Sequence, residues 1–201
     1  MGKKKFGQKI LYSPFVKIII GIIVCVGVVL LGETLIPILL ELTGIEQMKP
    51  LIVGIFIAVF VIISYSVLYK AFEKRKITEF SRKGIGKNFI VGVMLGVILQ
   101  SLIISVIYLK GSYTVISVNP IVFTFLFLVM SYFAVAIFEE TLFRGIIFRI
   151  TEEKLGSYLA LLISSLIFGA MHLFNPNSSL IAGVGLTIIG FLFASAYTLI
   201  R

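Results

Sequence analysis

The sequence predicts an all-α protein, a polytopic bundle of about six transmembrane helices. Composition is the first observation that predicts it: 59% of the 201 residues are hydrophobic and only 13% are charged, against roughly 25% charged residues in a typical soluble domain. The mean hydropathy of +1.14 agrees. The second observation is that long segments contain no Asp, Glu, Lys or Arg, and most reach the ~20 residues that cross a bilayer as a helix.

Proline positions help to place the predicted spans. Four of the five prolines stand at span ends, where a missing backbone N–H does least harm; they are Pro14, Pro50, Pro120 and Pro176. Lys17 lies inside the first apolar run, and its long side chain can reach the interface. Pro37 follows Glu33 and predicts that the first helix bends or ends there, which would let Glu33 reach water. The predicted spans lie near 14–33, 51–70, 89–109, 121–141, 156–174 and 179–200.

We expect a single membrane domain with two parts. Residues 1–120 would contain spans 1 to 3 and a hydrophilic loop at 70–88, and residues 121–201 would contain spans 4 to 6 with the candidate functional residues. Cys25 is the only cysteine, so it can form neither an internal disulfide nor a cysteine-based metal site, and we expect it to pack in the core. The Lys-rich start lacks a small-residue cleavage site, which favours an uncleaved first span.

The positive charges predict an orientation. The net charge is +9, and 16 of the 18 Lys and Arg residues fall in alternate loops, leaving Lys49 and Lys110 on the other side. The excess of Lys and Arg in cytoplasmic loops accounts for this distribution. It predicts a multi-pass protein of the cell membrane with its N-terminus, residues 70–87 and Arg201 in the cytoplasm. Binding of nucleic acid is not needed to explain the charge.

Chemistry-bearing residues concentrate in the stretch AIFEETLFRGIIF, residues 136–148. On a helix, Glu140 and Arg144 are four residues apart with the acid first, an orientation that favours an ion pair. Glu139 lies about 100° further round the helix and is not neutralised by that pair. A carboxyl group tuned towards neutrality in this way suits general acid–base catalysis.

His172 is the only histidine and lies in SSLIFGAMHLFNP, one helical turn after Phe168. A lone histidine on an apolar helix is more often a hydrogen-bonded structural residue than a ligand. However, Glu139 and His172 are 17 and 16 residues from Gly156, so a hairpin turning at 154–156 would bring them to the same level. We expect their side chains within about 6 Å, a gap that one water can bridge. This geometry requires a long fourth helix that projects past the membrane.

Small residues favour close approach of the helices in this half of the chain. Gly145 and Gly169 occupy suitable positions beside the acidic and histidine motifs. The sixth span carries a row of small residues that could pack within the chain or against partner helices. These residues are Gly183, Gly185, Gly190, Ala194 and Ala196.

The motifs FEETLFR and FGAMH, on two predicted spans, resemble the CAAX-processing and bacteriocin-processing family (CPBP, or Abi) of intramembrane proteases, which includes the type II CAAX prenyl endopeptidases. The resemblance covers roughly residues 120–201. It implies a hydrolase that cleaves a peptide or protein substrate at the membrane. It also implies that Glu139 activates the hydrolytic water, that Glu140 and Arg144 support it, and that His172 holds the water or stabilises the oxyanion.

The sequence departs from the family pattern in one respect. Family members usually carry a second histidine followed one turn later by an Asn-type residue, and this sequence has no second histidine. We therefore expect either a piece of a longer protein or a degenerate, less active member, since losing one such donor commonly costs a factor of about 100 to 1000 in rate.

The ligand count does not support a zinc cofactor or another divalent metal. Catalytic zinc generally has three protein ligands, and HExxH is absent. Glu139, Glu140 and His172 would be a poor set. Although the family is often labelled as metalloproteases, a Glu-activated water needs no metal.

Two further functions remain open. A non-catalytic membrane scaffold or bacteriocin-immunity protein of the same fold would keep the bundle and bind a partner. A small transporter could use the Glu139, Glu140 and Arg144 cluster, because ionisable residues inside membranes also mark transport paths. The transporter is less favoured because no inverted repeat is visible. Membrane lipid is a partner in all three cases.

Overall fold

The computed structural model describes residues 12–45, 48–80, 84–118 and 123–200, except the side chains at 123, 124 and 200. In this part of the chain every regular element is a helix, which confirms the predicted all-α class. The helices are α1 (Pro14–Glu41), α2 (Lys49–Glu73), α3 (Ile85–Leu109), α4 (Phe123–Glu140), a π-helical segment (Thr141–Phe148), α5 (Arg149–Leu155), α6 (Ser157–His172) and α7 (Leu180–Ile200).

The chain divides into two compact units. One combines Met1–Ile77 with Thr124–Arg201, and the other is Thr78–Phe123. The smaller unit contains α3, which begins after Gly84 in the left-handed conformation, with φ of 74°. The larger unit contains all the predicted site residues.

Five helices in the described part of the chain are long and apolar enough to cross a membrane. They are Pro14–Glu41, Lys49–Glu73, Ile85–Leu109, Phe125–Leu155 and Leu180–Leu199. The fifth predicted span is shorter than expected, because α6 has only 16 residues. The helix Phe125–Leu155 has 31 residues, about 46 Å at 1.5 Å per residue, which exceeds the ~30 Å hydrocarbon core. The predicted long fourth helix is thus present.

Helix α1 begins as predicted but ends later. Ser13 caps it by accepting a hydrogen bond from the Val16 N–H at 3.3 Å, and Pro14 occupies the first turn. Pro37 does not end the helix, which continues to Glu41; the alternative expectation, a bend at Pro37, stays a prediction. Proline is tolerated inside membrane helices because neighbouring groups compensate for the lost backbone hydrogen bond. Glu33 is exposed.

The main core is formed by α1, α2 and the π segment. Tyr65 and Tyr69 of α2 are fully buried, and Cys25 is buried as predicted. A glycine is required at position 21, because a Cβ there would overlap the Tyr69 hydroxyl. That hydroxyl donates to the Lys17 carbonyl at 3.0 Å. These contacts fix α2 against α1 and place its polar end beside the π segment.

Helices α6 and α7 pack closely, and α6 follows a turn at Gly156. Gly156 has φ of 82°, a conformation that glycine adopts at little cost. The predicted small surfaces at Gly169 and Gly145 are confirmed. A Cβ at Gly169 would lie 2.6 Å from the Gly183 carbonyl oxygen on α7, and one at Gly145 would lie 3.1 Å from the Tyr65 ring.

Candidate functional site

The two adjacent carboxylates stand where the helix geometry changes. Glu139 and Glu140 end α4, and the next eight residues, Thr141–Phe148, are π-helical and entirely buried. From the sequence an uninterrupted α-helix is expected here. Segments of π-helix are rare and occur frequently at functional sites, since wider turns displace side chains from the usual register.

Arg144 is the centre of the cluster. Its Nη1 lies 3.3 Å from Glu140 Oε1, which confirms the predicted pair. The Arg144 side chain is only 3% exposed, whereas that of Glu140 is 50% exposed. Arg144 Nη2 donates to the Gly190 carbonyl at 3.2 Å. Its guanidinium also lies 5.4 Å from the ring centroids of both Phe168 and Phe193, close enough for cation–π attraction.

Arg144 retains unused hydrogen-bonding capacity. Among the described residues, Thr141 Oγ1, Arg144 Nε and Arg144 Nη1 are buried without a hydrogen-bond partner. For Nη1 this means that its contact with Glu140 is an ion pair by distance and not a well-aligned hydrogen bond. Buried donors without partners are costly.

Glu139 and His172 meet across the hairpin. Glu139 Oε1 lies 3.6 Å from His172 Nε2, which confirms the predicted approach within about 6 Å. Both side chains are partly exposed, at 27% and 19%. The pair is therefore not sealed inside the protein.

The contact of the second ring nitrogen of His172 selects the tautomer of the neutral ring. Nδ1 lies 2.8 Å from the Phe168 carbonyl oxygen. A carbonyl can only accept, so Nδ1 must carry a hydrogen and donate it. In neutral His172 the nitrogen facing Glu139, Nε2, is therefore an acceptor. The Phe168 ring, 4.5 Å from the imidazole between centroids, also restrains its orientation.

A second polar cluster surrounds Glu73, at the end of α2. The Glu73 carboxylate is 8% exposed and contacts three cations. Arg75 Nε lies 2.6 Å away, Arg149 Nη1 2.9 Å and Lys17 Nζ 3.4 Å. Arg149 also pairs with Glu153 at 2.7 Å. This cluster was not predicted from the sequence, although an acid at the end of an apolar helix beside several basic residues is a usable signal.

The Glu73 cluster is connected to the π segment through one carbonyl. The Gly145 carbonyl accepts from Tyr65 Oη at 3.1 Å and from Arg149 Nε at 2.9 Å. Gly145 is the residue after Arg144. Helix α2 therefore restrains the backbone that carries the central arginine of the site.

The donors present do not fit a metal centre. The described residues contain no group of three or more His, Cys, Asp and Glu side chains placed to hold a metal ion. Glu140 is directed to Arg144, and Glu139 with His172 supplies two donors, fewer than the three protein ligands of a typical catalytic zinc.

Comparison with known proteins supports the motif-based resemblance. Residues 120–201 match the family model described as type II CAAX prenyl endopeptidase Rce1-like. This match supports the assignment of the motif-bearing segment to the CAAX protease family, whose members are membrane proteases. Comparisons with curated proteins and with solved structures give no significant match. The individual catalytic roles of Glu139, Glu140, Arg144 and His172 stay predictions.

Proposed function

We propose that this chain is an intramembrane endopeptidase of the CAAX protease type, which hydrolyses a peptide or protein substrate at the membrane with a water activated by Glu139. The observation that carries the proposal is the 3.6 Å separation of Glu139 Oε1 and His172 Nε2. Together with the family match over residues 120–201, it favours a hydrolytic site over a purely structural pair.

The tautomer of His172 explains how the pair can hold a water. With Nδ1 donating to Phe168, both Nε2 and an ionised Glu139 carboxylate are acceptors. A water that lies beside the pair, in contact with both atoms, can donate one hydrogen to each, which directs an oxygen lone pair away from both. Such a water is held and polarised for attack.

The proton transfers of the reaction can be written with Glu139 alone. Glu139 takes a proton from the water while the water oxygen bonds to the substrate carbonyl carbon. The tetrahedral intermediate collapses with cleavage of the C–N bond. Glu139 returns the proton to the leaving amine, so the carboxylate is regenerated.

Arg144 and Glu140 support this centre. In the proposal, Arg144 positions the end of α4 through Glu140 and joins it to α6 and α7 through Phe168 and Gly190.

The test is a cleavage assay on the 201-residue chain in lipid vesicles. The substrates are internally quenched peptides ending in a CAAX sequence, with and without a prenyl group on the cysteine. Glu139→Gln keeps size and hydrogen bonding but removes the proton acceptor, so we expect the rate to fall by roughly 100-fold or more. Glu41→Gln, at an exposed position on α1, is the control and should retain the full rate.

Trapping with hydroxylamine separates this mechanism from covalent alternatives. An acyl-enzyme would transfer its acyl group to hydroxylamine, whereas direct attack by water should give only the free carboxylate. Full activity of Glu139→Gln would contradict the assigned base. A folded but inactive parent chain would contradict the protease and favour the non-catalytic scaffold.

A further inference from the structure

A cavity lies at the polar end of α2, away from the candidate catalytic residues. Its volume is about 370 Å³. The chain leaves α2 here through Lys74, whose φ of 52° is left-handed. The lining residues are Ser66, Val67, Lys70, Arg75, Lys76 and Ile77.

The cations of this cavity are not all neutralised. Arg75 is held by Glu73 at 2.6 Å, and the same carboxylate is shared with Arg149 and Lys17. Lys70 and Lys76 have no carboxylate partner within the described residues, and both are exposed. The Glu73 carboxylate is thus shared by three cations, one of which, Arg149, also pairs with Glu153, while two more ammonium groups line the cavity. The local charge favours an anion.

The walls of the cavity are apolar. Val67 is 64% exposed on a helix long enough to cross a membrane, where exposed aliphatic side chains contact acyl chains. Ile77 is half-buried and packs against the main core. A soluble anion would gain nothing from these walls, whereas an amphiphile would fill them.

We propose that this cavity binds an anionic phospholipid, with the phosphate near Lys70 and Lys76 and the glycerol and first acyl carbons against Val67 and Ile77. The orientation predicted from the charges places this end of α2 at the cytoplasmic leaflet, where anionic lipids attract basic segments. The site is distinct from the Glu139 centre, and its occupancy does not depend on catalysis.

The chain contains no tryptophan, so the fluorescence of one introduced tryptophan would report on a single position. Ile63 is exposed on α2, one turn before Val67, so Ile63→Trp places a single indole beside the cavity without filling it. In vesicles, quenching by brominated phosphatidylglycerol and by brominated phosphatidylcholine gives the relative affinity of the two lipids for this position.

The probe-bearing chain should prefer phosphatidylglycerol by about fivefold or more, since each surface lysine contributes about that factor to attraction of anionic lipid. Lys70→Gln combined with Lys76→Gln should reduce the preference towards one. Both side chains are exposed, so folding should be retained. Lys49→Gln removes a charge from the other end of α2 and should leave the preference unchanged.

A third measurement distinguishes the lipid from a soluble anion. Inorganic phosphate at millimolar concentration, compared with chloride of equal ionic strength, should not displace phosphatidylglycerol. Displacement would overturn the lipid assignment. Equal quenching by the two lipids in the parent, or a preference retained in the double lysine variant, would overturn the site itself.

Discussion

Arg144 shows how this molecule tolerates a charge where the surroundings are apolar. Its side chain is 3% exposed, and an unpaired buried cation is strongly destabilising. Three kinds of partner offset that cost: the Glu140 carboxylate, the Gly190 carbonyl and two aromatic rings. These partners lie on α4, α6 and α7, so one residue joins three helices.

Glu140→Gln should destabilise the fold, whereas Glu139→Gln should not. The first change leaves a buried guanidinium without its carboxylate. The loss should be about 1–2 kcal/mol, below the roughly 3–5 kcal/mol of a fully buried pair, because Glu140 is 50% exposed. Thermal unfolding in detergent measures it.

The double-mutant cycle provides the control for this prediction. Adding Arg144→Gln to Glu140→Gln removes the uncompensated charge, so the double variant should lose less stability than the two single variants combined. Strict additivity would contradict the proposed pairing. If Glu139→Gln lost as much stability as Glu140→Gln, this would contradict the assignment of a catalytic role to Glu139 and a structural role to Glu140.

At the scale of elements, the π segment is held on two sides. From one side, Tyr65 and Arg149 donate to the Gly145 carbonyl. From the other, Gly190 and Phe168 contact Arg144. The helices α1 and α2 therefore contribute to the site geometry although they supply none of its proposed catalytic residues.

The packing of α6 on α7 predicts that adding a methyl group at two glycines will have different effects on stability. Gly169→Ala should destabilise by about 1–3 kcal/mol through overpacking, because the added Cβ would meet the Gly183 carbonyl and the Thr187 backbone nitrogen. Gly185→Ala is the matched control on α7, since nothing lies within 4 Å of its added Cβ; it should be neutral or stabilising by up to about 1 kcal/mol.

Melting temperatures of the two glycine variants test whether α6 and α7 must approach this closely. A lower value for Gly169→Ala alone is expected, with a reduced cleavage rate at temperatures where it begins to unfold. Equal melting temperatures for the two variants would show that the close approach of α6 and α7 is not required.

The sequence predicted those parts of the site that depend on local spacing. The Glu140–Arg144 pair follows from a four-residue interval, and the approach of Glu139 to His172 follows from their nearly equal distances to Gly156, 17 and 16 residues. It did not predict the π segment, because a π-helix and an α-helix share the same apolar composition. It also missed the Glu73–Arg149 contact, which joins residues 76 positions apart and has no periodic signal.

At the scale of the whole molecule, exposed apolar side chains cover the long helices. In the larger unit, large exposed residues recur along α1 and α2, including Ile23, Leu30, Ile55 and Ile63. A soluble protein rarely exposes so much contiguous apolar surface. In a membrane these faces contact acyl chains, and the polar clusters around Glu73 and Arg144 are directed inward.

The orientation in the membrane is the last prediction. Thr78 and Ser112 are exposed and stand on either side of α3, which is long and apolar enough to span. In a Cys25→Ala background, an impermeant maleimide should label Ser112→Cys in intact cells and Thr78→Cys only after permeabilisation, because the basic loop at 70–87 stays in the cytoplasm. Ser101→Cys, within α3, should resist labelling until detergent is added. Labelling of Thr78→Cys in intact cells would contradict the orientation. It would also mean that Lys70 and Lys76 do not lie at the cytoplasmic leaflet, which is one of the reasons for proposing a lipid site there. It would leave the hydrolytic proposal intact, because the contact between Glu139 and His172 does not depend on which side of the membrane they face.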